Sequence, residues 1–496
     1  MSSFHGLEMA KQALFAQQAA LYTTGHNISN ANTEGYSRQR VNFETMSAYP
    51  APGRNRPQIP GQMGTGVEIG SVERVRNQFL DYQFRAENSK SGYWNTKTDA
   101  LGRMEGLMNE PSDSGLSKTM SQFWQSLQDL SANPTNSGAR SVVANRGLAV
   151  AETFNHLSNN LHSIRTDLKN QIDVTVQDAN SLLRQINQIN EQVQKVEPHG
   201  YLANDLYDER DRLIDQLSEI VNIKVSYDKS SSSSLDIGQG IASIEIVDAK
   251  GGELDGGPVY LINGKLNPDD AVNELEISFD DEAVTSITVG NTDIMESTGS
   301  LKGLIESYDN EYPNMIAELD KMAQAFMVAF NAVHHAGQDL EGNQGQDFFE
   351  ILDFDSEDPS GAAGSITINK DILDDPDLIA ASNDGTSGNG DQALALGDVF
   401  KDTDIGLGNK SVTSFYESII GKLGVDTQEA IRNSVNTNTL RSQVVEQRMS
   451  ISAVSLDEEM TNMIQFQHAY NAAARSMTTI DEMLDRIING MGLVGR

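Results

Sequence analysis

Near the C-terminal end, apolar residues recur in alternating steps of three and four: Met463, Phe466, Tyr470, Ala473, Met477, Ile480, Leu484, Ile487 and Met491. This is the heptad period of helices that pack along a seam. Leu456, Met449 and Val445 keep the same frame. The spacing therefore predicts a single helix over 449–491, roughly 65 Å long at 1.5 Å per residue. A shorter seam at the N-terminal end runs through Leu7, Ala10, Leu14, Leu21 and Ile28, with Gln17 and Thr24 interrupting it. Two such helices predict chain ends that pack against each other or against neighbouring subunits. A lone helix is marginal in water, so the ends are expected to fray in the monomer and to order on assembly.

Between the ends the pattern is helical, then strand-rich, then helical again. Apolar spacing of three and four continues from Gln78 to Ile220, with a stripe Leu182, Ile186, Ile189 and Val193 that Pro198-His199-Gly200 stops. A second helix from Leu206 to Val221 follows directly and predicts an antiparallel pair. Ser230–Ser234 reads as a five-serine linker. After it, Ile244-Glu245-Ile246-Val247 and Leu275-Glu276-Ile277-Ser278-Phe279 alternate like strands, and Asn263-Gly264 predicts a hairpin between Val259–Ile262 and Leu266. The helical period returns from Gly299, through Leu301, Leu304, Ile305, Tyr308, Ile316, Leu319, Met322, Phe326 and Phe330. Asp339–Asp358, with eight acids and no Lys or Arg, and Asn383–Asp391 read as surface excursions.

At roughly 100–200 residues per domain, 496 residues predict about three or four domains. Asp and Glu total 71 against 36 Lys and Arg, a net charge of -35, which argues against nucleic-acid binding and anionic membrane surfaces. No apolar run approaches the length of a spanning helix, so no membrane insertion is expected. The chain has no cysteine, which removes disulfides, zinc–thiolate sites, iron–sulfur clusters and cysteine nucleophiles. That suits an ordinary cytosolic protein, or one that crosses unfolded into an oxidising space. Residues 1–21 have one Lys and no continuous apolar core, so a cleavable signal is not expected.

Catalytic signatures are missing: no phosphate-binding glycine loop, dinucleotide glycine triplet, zincin pair or nucleophile turn occurs. His334-His335 are adjacent, about 100° apart on a helix, a poor chelating geometry. Asp353, Asp355, Glu357 and Asp358 present oxygens at spacings a calcium loop uses, but Asp358 stands where the loop glycine belongs. Asn383–Asp391 is oxygen-rich and read as a solvated loop, and Asp374-Asp375 carries no information in so acidic a chain. Neither enzyme activity nor a cofactor or metal is expected.

After the first helix comes Asn27-Ile28-Ser29-Asn30-Ala31-Asn32-Thr33-Glu34-Gly35-Tyr36. As chemistry this is a helix end running into a side-chain-capped turn, with Gly35 the natural site for positive φ. As a string it closely resembles the N-terminal signature of the axial proteins of the bacterial flagellum: rod, hook and hook-associated proteins. Glu459-Met460-Thr461-Asn462-Met463-Ile464-Gln465-Phe466 resembles the matching C-terminal signature. Asn204-Asp205-Leu206-Tyr207-Asp208-Glu209-Arg210-Asp211-Arg212-Leu213 resembles a block typical of the FlgK family, and is equally a charged helix face with pairs such as Asp208–Arg212.

The resemblance implies a structural subunit in a ring at the hook–filament junction, next to the hook protein FlgE and the hook-associated protein FlgL. It also implies type III export without a cleaved signal, the export chaperone FlgN at the C-terminal region, and an extracellular location on the flagellum. The expected fold is α+β and multidomain, with elongated helical parts built from both chain ends. The expected domains are an axial packing domain (1–60 and 446–496), a helical core (61–223 and 298–445) and a small inserted β-rich domain (224–297). A hook or filament subunit, an extracellular adhesin using the β insert and acidic loops, and an enzyme carried in an insert remain as alternatives.

Overall fold

The computed structural model describes residues 3–50, 53–54, 61–108, 115–254, 257–280, 283–290, 292–351 and 359–490. Helix α1 (Ser3–Ser29) leads into the hairpin β1 (Gln39–Thr45) and β2 (Val67–Arg74). Four helices follow: α2 (Gln78–Leu107), α3 (Leu116–Ala132), α4 (Ser137–Val196) and α5 (Asn204–Ile220). Next come β3 (Ile223–Asp228), β4 (Ile241–Ile246) and β5 (Val259–Ile262) in one antiparallel sheet, and β6 (Leu275–Asp280), β7 (Ala283–Val289) and β8 (Thr292–Asp293) in another. Helices α6 (Ser300–Glu306) and α7 (Tyr312–His335) are joined by a π-helical turn. Short pieces follow: β9 (Phe349–Ile351), α8 (Ala362–Ser365), β10 (Ile366–Ile368), α9 (Lys370–Asp374) and α10 (Asp391–Asp398). The chain ends with α11 (Val412–Ser452) and α12 (Leu456–Gly490). This is an α+β multidomain fold, dominated by helices.

The spine is α4, 60 residues and roughly 90 Å long. Asn136 caps it by accepting from Gly138 and Ala139 N–H, and Gly200, at φ 80°, turns the chain beyond the short 3₁₀ turn that follows it. Its buried stripe, from Val143 through Phe154, Leu161, Ile172 and Ile186 to Val193, packs successively on α3, α7, both sheets and α5. Two asparagines on this helix clamp the sheets. Asn180 donates to Leu275 O (2.9 Å) and accepts from Leu275 N (2.8 Å); Asn190 does the same with Ala242 (2.9 and 3.0 Å). Each amide side chain thus replaces a strand neighbour's peptide group, which satisfies strand backbone that packing on a helix would otherwise leave unpaired. The strands of 224–297 therefore share one hydrophobic cluster with the helices.

At one end of α4 the core is aromatic. Phe123, Phe326, Phe330, Phe348, Phe349 and Phe400 meet with ring centroids 4.9–6.0 Å apart. Gly147 admits the cluster: a Cβ there would stand 2.8 Å from the Phe348 ring. The stretch read as a surface excursion is thus partly core, since Phe348 and Phe349 are buried and Asn331 holds their backbone N–H groups at 3.0 Å. Burial of two phenylalanines outweighs the acidity of their neighbours. Asp353, Asp355, Glu357 and Asp358 lie outside the described residues. In the Asn383–Asp391 loop, Asp384 accepts from the Thr386 backbone and hydroxyl, and hydrogen bonding holds its carboxyl well below the usual range.

Three further expectations change. The five serines are no free linker, because Ser230, Tyr207 O–H and Gly240 N–H all donate to the buried Glu197 carboxylate. Asn263-Gly264 makes no tight hairpin: Asn263 N–H donates to Ala271 O (2.8 Å), and the chain returns past a Pro268–Asp270 3₁₀ turn to bridge Ile262 with Val272. Leu266 is exposed, so burial offers nothing to hold a strand there. The single helix over 449–491 is broken at 453–455, where Ala453 is extended and Glu459 N–H donates to Ser455 O. Ser455-Leu456-Asp457-Glu458 is a capping-box sequence that starts a new helix against the continuing heptad.

His334 is buried at the end of α7, with Nδ1–H donating to Gln346 O (2.5 Å) and Nε2 accepting from Ala380 N–H (2.9 Å). Burial, the largest influence, moves it from its ordinary 6.5 down to about 4. Between these values the unfolded chain binds a proton that the folded one refuses. The contribution is full above pH 6.5 and is lost as pH falls toward 4, up to about 3 kcal/mol. Denaturant titrations of wild type and His334→Gln at pH 7 and pH 4.5 should show the wild type losing about 2–3 kcal/mol more on acidification.

Candidate functional site: a terminal helix pair and its anchor

Helices α1 and α12 pack antiparallel. A Cβ on Gly6 would meet Ile480 Cδ1 at 3.3 Å, and Asn27 Nδ2 donates to Glu459 Oε2 at 3.1 Å. The two contacts lie 21 residues apart in both helices, three heptads and roughly 32 Å. On α12, Met463, Phe466, Tyr470, Ala473, Met477, Ile480 and Leu484 are all half-buried along the side that meets α1; Ile487 is exposed and Met491 lies outside the described residues. On α1, Ala10 is buried and Leu7, Leu14, Leu21 and Ile28 are half-buried. The most enclosed α1 positions are small or polar: Ala16, Ala20, Thr24 and Asn27. Small side chains let α1 approach both α12 and the β1–β2 hairpin, where His5 hydrogen-bonds Gly64 O at 3.1 Å and Phe43 meets Phe466 edge-on at 6.1 Å. Each end thus has the other as a partner within one chain.

Large apolar side chains nevertheless remain exposed on this pair. Phe4 (66%), Phe15 (52%) and Tyr22 (77%) stand on α1, and Leu456 (48%), Met460 (55%) and Ile464 (55%) on α12. A concentration of this kind at the end of an acidic molecule marks an interaction surface.

The family-signature residues form the anchor of the pair. Asn27 is 1% exposed and uses its full hydrogen-bonding capacity: it donates to Gln39 O (2.8 Å) and Glu459, and accepts from Gln39 N–H (2.9 Å) and Tyr36 O–H (2.8 Å). Because the Tyr36 proton goes to Asn27, its oxygen accepts from His26 Nδ1–H at 3.0 Å. Burial, helped by the carboxylates of Asp205, Asp208 and Glu459, raises the Tyr36 phenol well above its ordinary value. Ser29 and Asn30 donate back to Gly25 O and His26 O, and Thr33 to Asn30, closing the helix end. Gly35 takes φ 81° and lies against Arg212, while Ala31 and Asn32 face a hollow of about 580 Å³ between this loop, α5 and the end of α11.

Arg38 carries the connection across the 453–455 break. Its Nε donates to Glu459 (2.8 Å), its two Nη atoms form a fork on Glu458 (3.1 and 2.8 Å), and its N–H meets Ser452 O at 2.9 Å. Behind it, Asp208, Asp211 and Asp215 occupy one face of α5. Arg74 meets Asp208 and Asp211 (2.7 and 3.0 Å), Arg85 meets Asp211 and Asp215 (3.2 and 2.9 Å), and Arg448 meets Asp81 and Asp215 (3.0 and 2.8 Å). Arg76 meets Asp81 and Asp211 (2.8 and 3.3 Å). Burial alone would raise the Asp211 carboxyl, but Arg76, Arg74 and Arg85 hold it far below the usual range; at Asp208 burial wins over Arg74 and the value rises. Asp208 also accepts from Ser37 N–H (2.9 Å), so the signature loop docks on the same helix.

The anticipated Asp208–Arg212 pair is absent. Arg212 turns outward to Glu209 (2.6 Å), because the Asp208 side of α5 is buried and occupied. The roles of Arg38, Arg74, Arg76, Arg85 and Arg448 were not read from the sequence. The available signal was acids at 208, 211 and 215, one helix face, facing inward; their arginine partners are 126 or more residues away in sequence, or come from β2 and α11. Among the described residues no group of three or more His, Asp or Glu side chains is placed to hold a metal ion, and no helix is long and apolar enough to cross a membrane.

Residues 101–349 match the family model described as the flagellar hook-associated protein FlgK helical domain. Residues 7–36 match the flagella basal body rod protein model, and 445–490 the C-terminal model of the flagellar basal body rod FlgEFG proteins. The chain is 48% identical to flagellar hook-associated protein 1 of Bacillus subtilis over the whole of both chains, and 24% identical to that of Salmonella typhimurium over 97% of this chain and 98% of the other. The solved structure of the flagellar hook junction protein FlgK from Burkholderia pseudomallei superposes with a TM-score of 0.58 at 14% identity, covering 75% of this chain and all of that one; this likeness concerns the fold.

Replacing Asn27 by Ala leaves Glu459 and Gln39 with unmet buried groups and should destabilise the terminal pair by about 3 kcal/mol. Hydrogen exchange should quicken in α1 and α12 and stay unchanged in the centre of α4. Asp211→Asn, which takes one of two carboxylate partners from each of Arg74, Arg76 and Arg85 inside a buried network, should cost about 3 kcal/mol in global unfolding.

Proposed function

The chain belongs to the flagellar hook-associated protein 1 (FlgK) family, a family of structural flagellar proteins, and on that premise we propose that it is the subunit of a ring joining hook to filament. The observation that carries this reading is the anchored α1–α12 pair with large apolar side chains still in water. A helix pair held firmly at one end and sticky along its length is suited to a tube wall built from many copies. The seam residues Met463 to Leu484 and Leu7 to Ile28 then serve assembly by forming the pair, Ile487 and Met491 serve assembly as well, and 1–60 with 446–496 act as the axial packing domain. Residues 61–223 with 298–445 act as the helical core, and 224–297 as the β-rich part, with acidic loops turned to solvent.

In this reading the neighbours are further copies of the chain, the hook protein FlgE on one side and FlgL on the other. The chain leaves the cell through the type III apparatus, held beforehand by FlgN at the C-terminal region, and works outside the cell. A chain without cysteine passes through an oxidising space with no wrong cross-links to form. The protein performs no catalysis and needs no cofactor. What separates this role from that of a hook or filament subunit is copy number, few for a junction and many for a polymer.

Deleting the protein should leave bare hooks on the cells and unassembled flagellin in the medium, seen by electron microscopy and immunoblot; normal filaments would refute the junction role. Ile480→Asp or Leu484→Asp should put a charge into the seam and abolish filaments while the helical core still unfolds cooperatively. Normal swimming of either variant would count against assembly through this pair.

A further inference from the structure

Beside Met9 on α1 and Met483, Ile487 and Ile488 near the far end of α12, the exposed apolar residues of the two terminal helices form two ordered sets. Phe4, Phe15 and Tyr22 are 11 and 7 residues apart, which places them within roughly 20° of one line along α1. That line lies opposite Ala20 and Asn27, so it faces away from α12. Leu456, Met460 and Ile464, at i, i+4 and i+8, form an edge on α12 that starts in the seam frame at Leu456 and turns away from it. The Gly6–Ile480 and Asn27–Glu459 contacts set Tyr22 level with Ile464.

Charge singles out the same surface. In a chain of net charge -35, α1 has Glu8 and Lys11 as its only Asp, Glu, Lys or Arg residues, and α12 between Met460 and Ile480 has Arg475 alone. A like-charged copy can therefore approach here without the repulsion the acidic core would impose. The α12 edge runs beside the existing antiparallel α1–α12 contact and the α1 line lies on the far face of α1, so helices of a further copy can reach each without displacing that contact.

We propose that the aromatic line of α1 in one copy packs against the Leu456–Met460–Ile464 edge of α12 in the next copy. This rests on the assembly role proposed above and names its contact. The two stripes differ, so the contact is heterologous: each copy offers a donor face on α1 and an acceptor face on α12, and repetition about an axis gives a ring. A self-complementary contact, α1 on α1, would instead stop at a dimer.

The cysteine-free chain makes the test clean. Full-length protein with Tyr22→Cys, with Ile464→Cys, and with both is expressed in cells lacking the native protein, and isolated flagella are oxidised and run without reductant. The double variant should give a ladder beyond the dimer, and each single variant a monomer. Dimers from Tyr22→Cys alone, or a double variant that assembles without a ladder, would overturn the contact while leaving the assembly role intact. Tyr22→Asp and Ile464→Asp cover the case in which the cysteine pair fails to assemble: each should be exported, keep its helical circular dichroism and yield no filaments. Wild-type filaments from both would overturn the proposal, whereas wild-type filaments from Ile480→Asp would sink the assembly role itself.

Discussion

The molecule is organised around the carboxylates of Asp208, Asp211 and Asp215, which face inward from α5 and are met by arginines from β2, the turn after it, α2 and α11. Burying one unpaired carboxylate would be prohibitive. Four aspartates interleaved with four arginines make burial possible, and they do so only when all four pieces of chain arrive together. The network is thus a registration device. It fixes where the N-terminal hairpin and α11 meet the core, and Ser37 and Arg38 pass that placement to the terminal pair through Asp208 and Glu459.

Two kinds of adhesion follow from this. Along α4, contacts are apolar and continuous, with Asn180 and Asn190 fastening the strands by paired hydrogen bonds. At the terminal pair, contact is one seam wide, and the anchor is a compact polar knot on Asn27, Arg38 and Glu459. Such a design lets the ends keep apolar surface in water for partners without losing their place on the core. Concentrating the negative charge elsewhere serves the same purpose, since copies can then meet through the least charged helices.

Much of this was legible in the sequence. The heptad seam of α12, the stop of α4 at Pro198-Gly200, the pairing of α4 with α5 and the strands around Ile244 and Leu275 are local periodicities, and local periodicity survives folding when one face is buried. The break at 453–455 was legible too, in the Ser455-x-x-Glu458 box, but an uninterrupted heptad masked it. Phe348 and Phe349 were hidden by their acidic neighbours, and Ser230–Ser234 by the habit of reading serine runs as linkers.

The sequence by itself determined most of the long helices and the strands around Ile244 and Leu275, that the ends carry matching seams, and which motifs join this chain to the flagellar axial proteins. Those properties depend on residues a few positions apart. Only the tertiary structure decided that Asn27 would be satisfied by Gln39, Tyr36 and Glu459 together, that Asp208 would leave Arg212 for Arg74, and which apolar side chains would stay in water. The physical reason is that a buried charge or amide is indifferent to distance along the chain. It takes whichever partner the packed core brings within hydrogen-bond reach, and no local period records that choice.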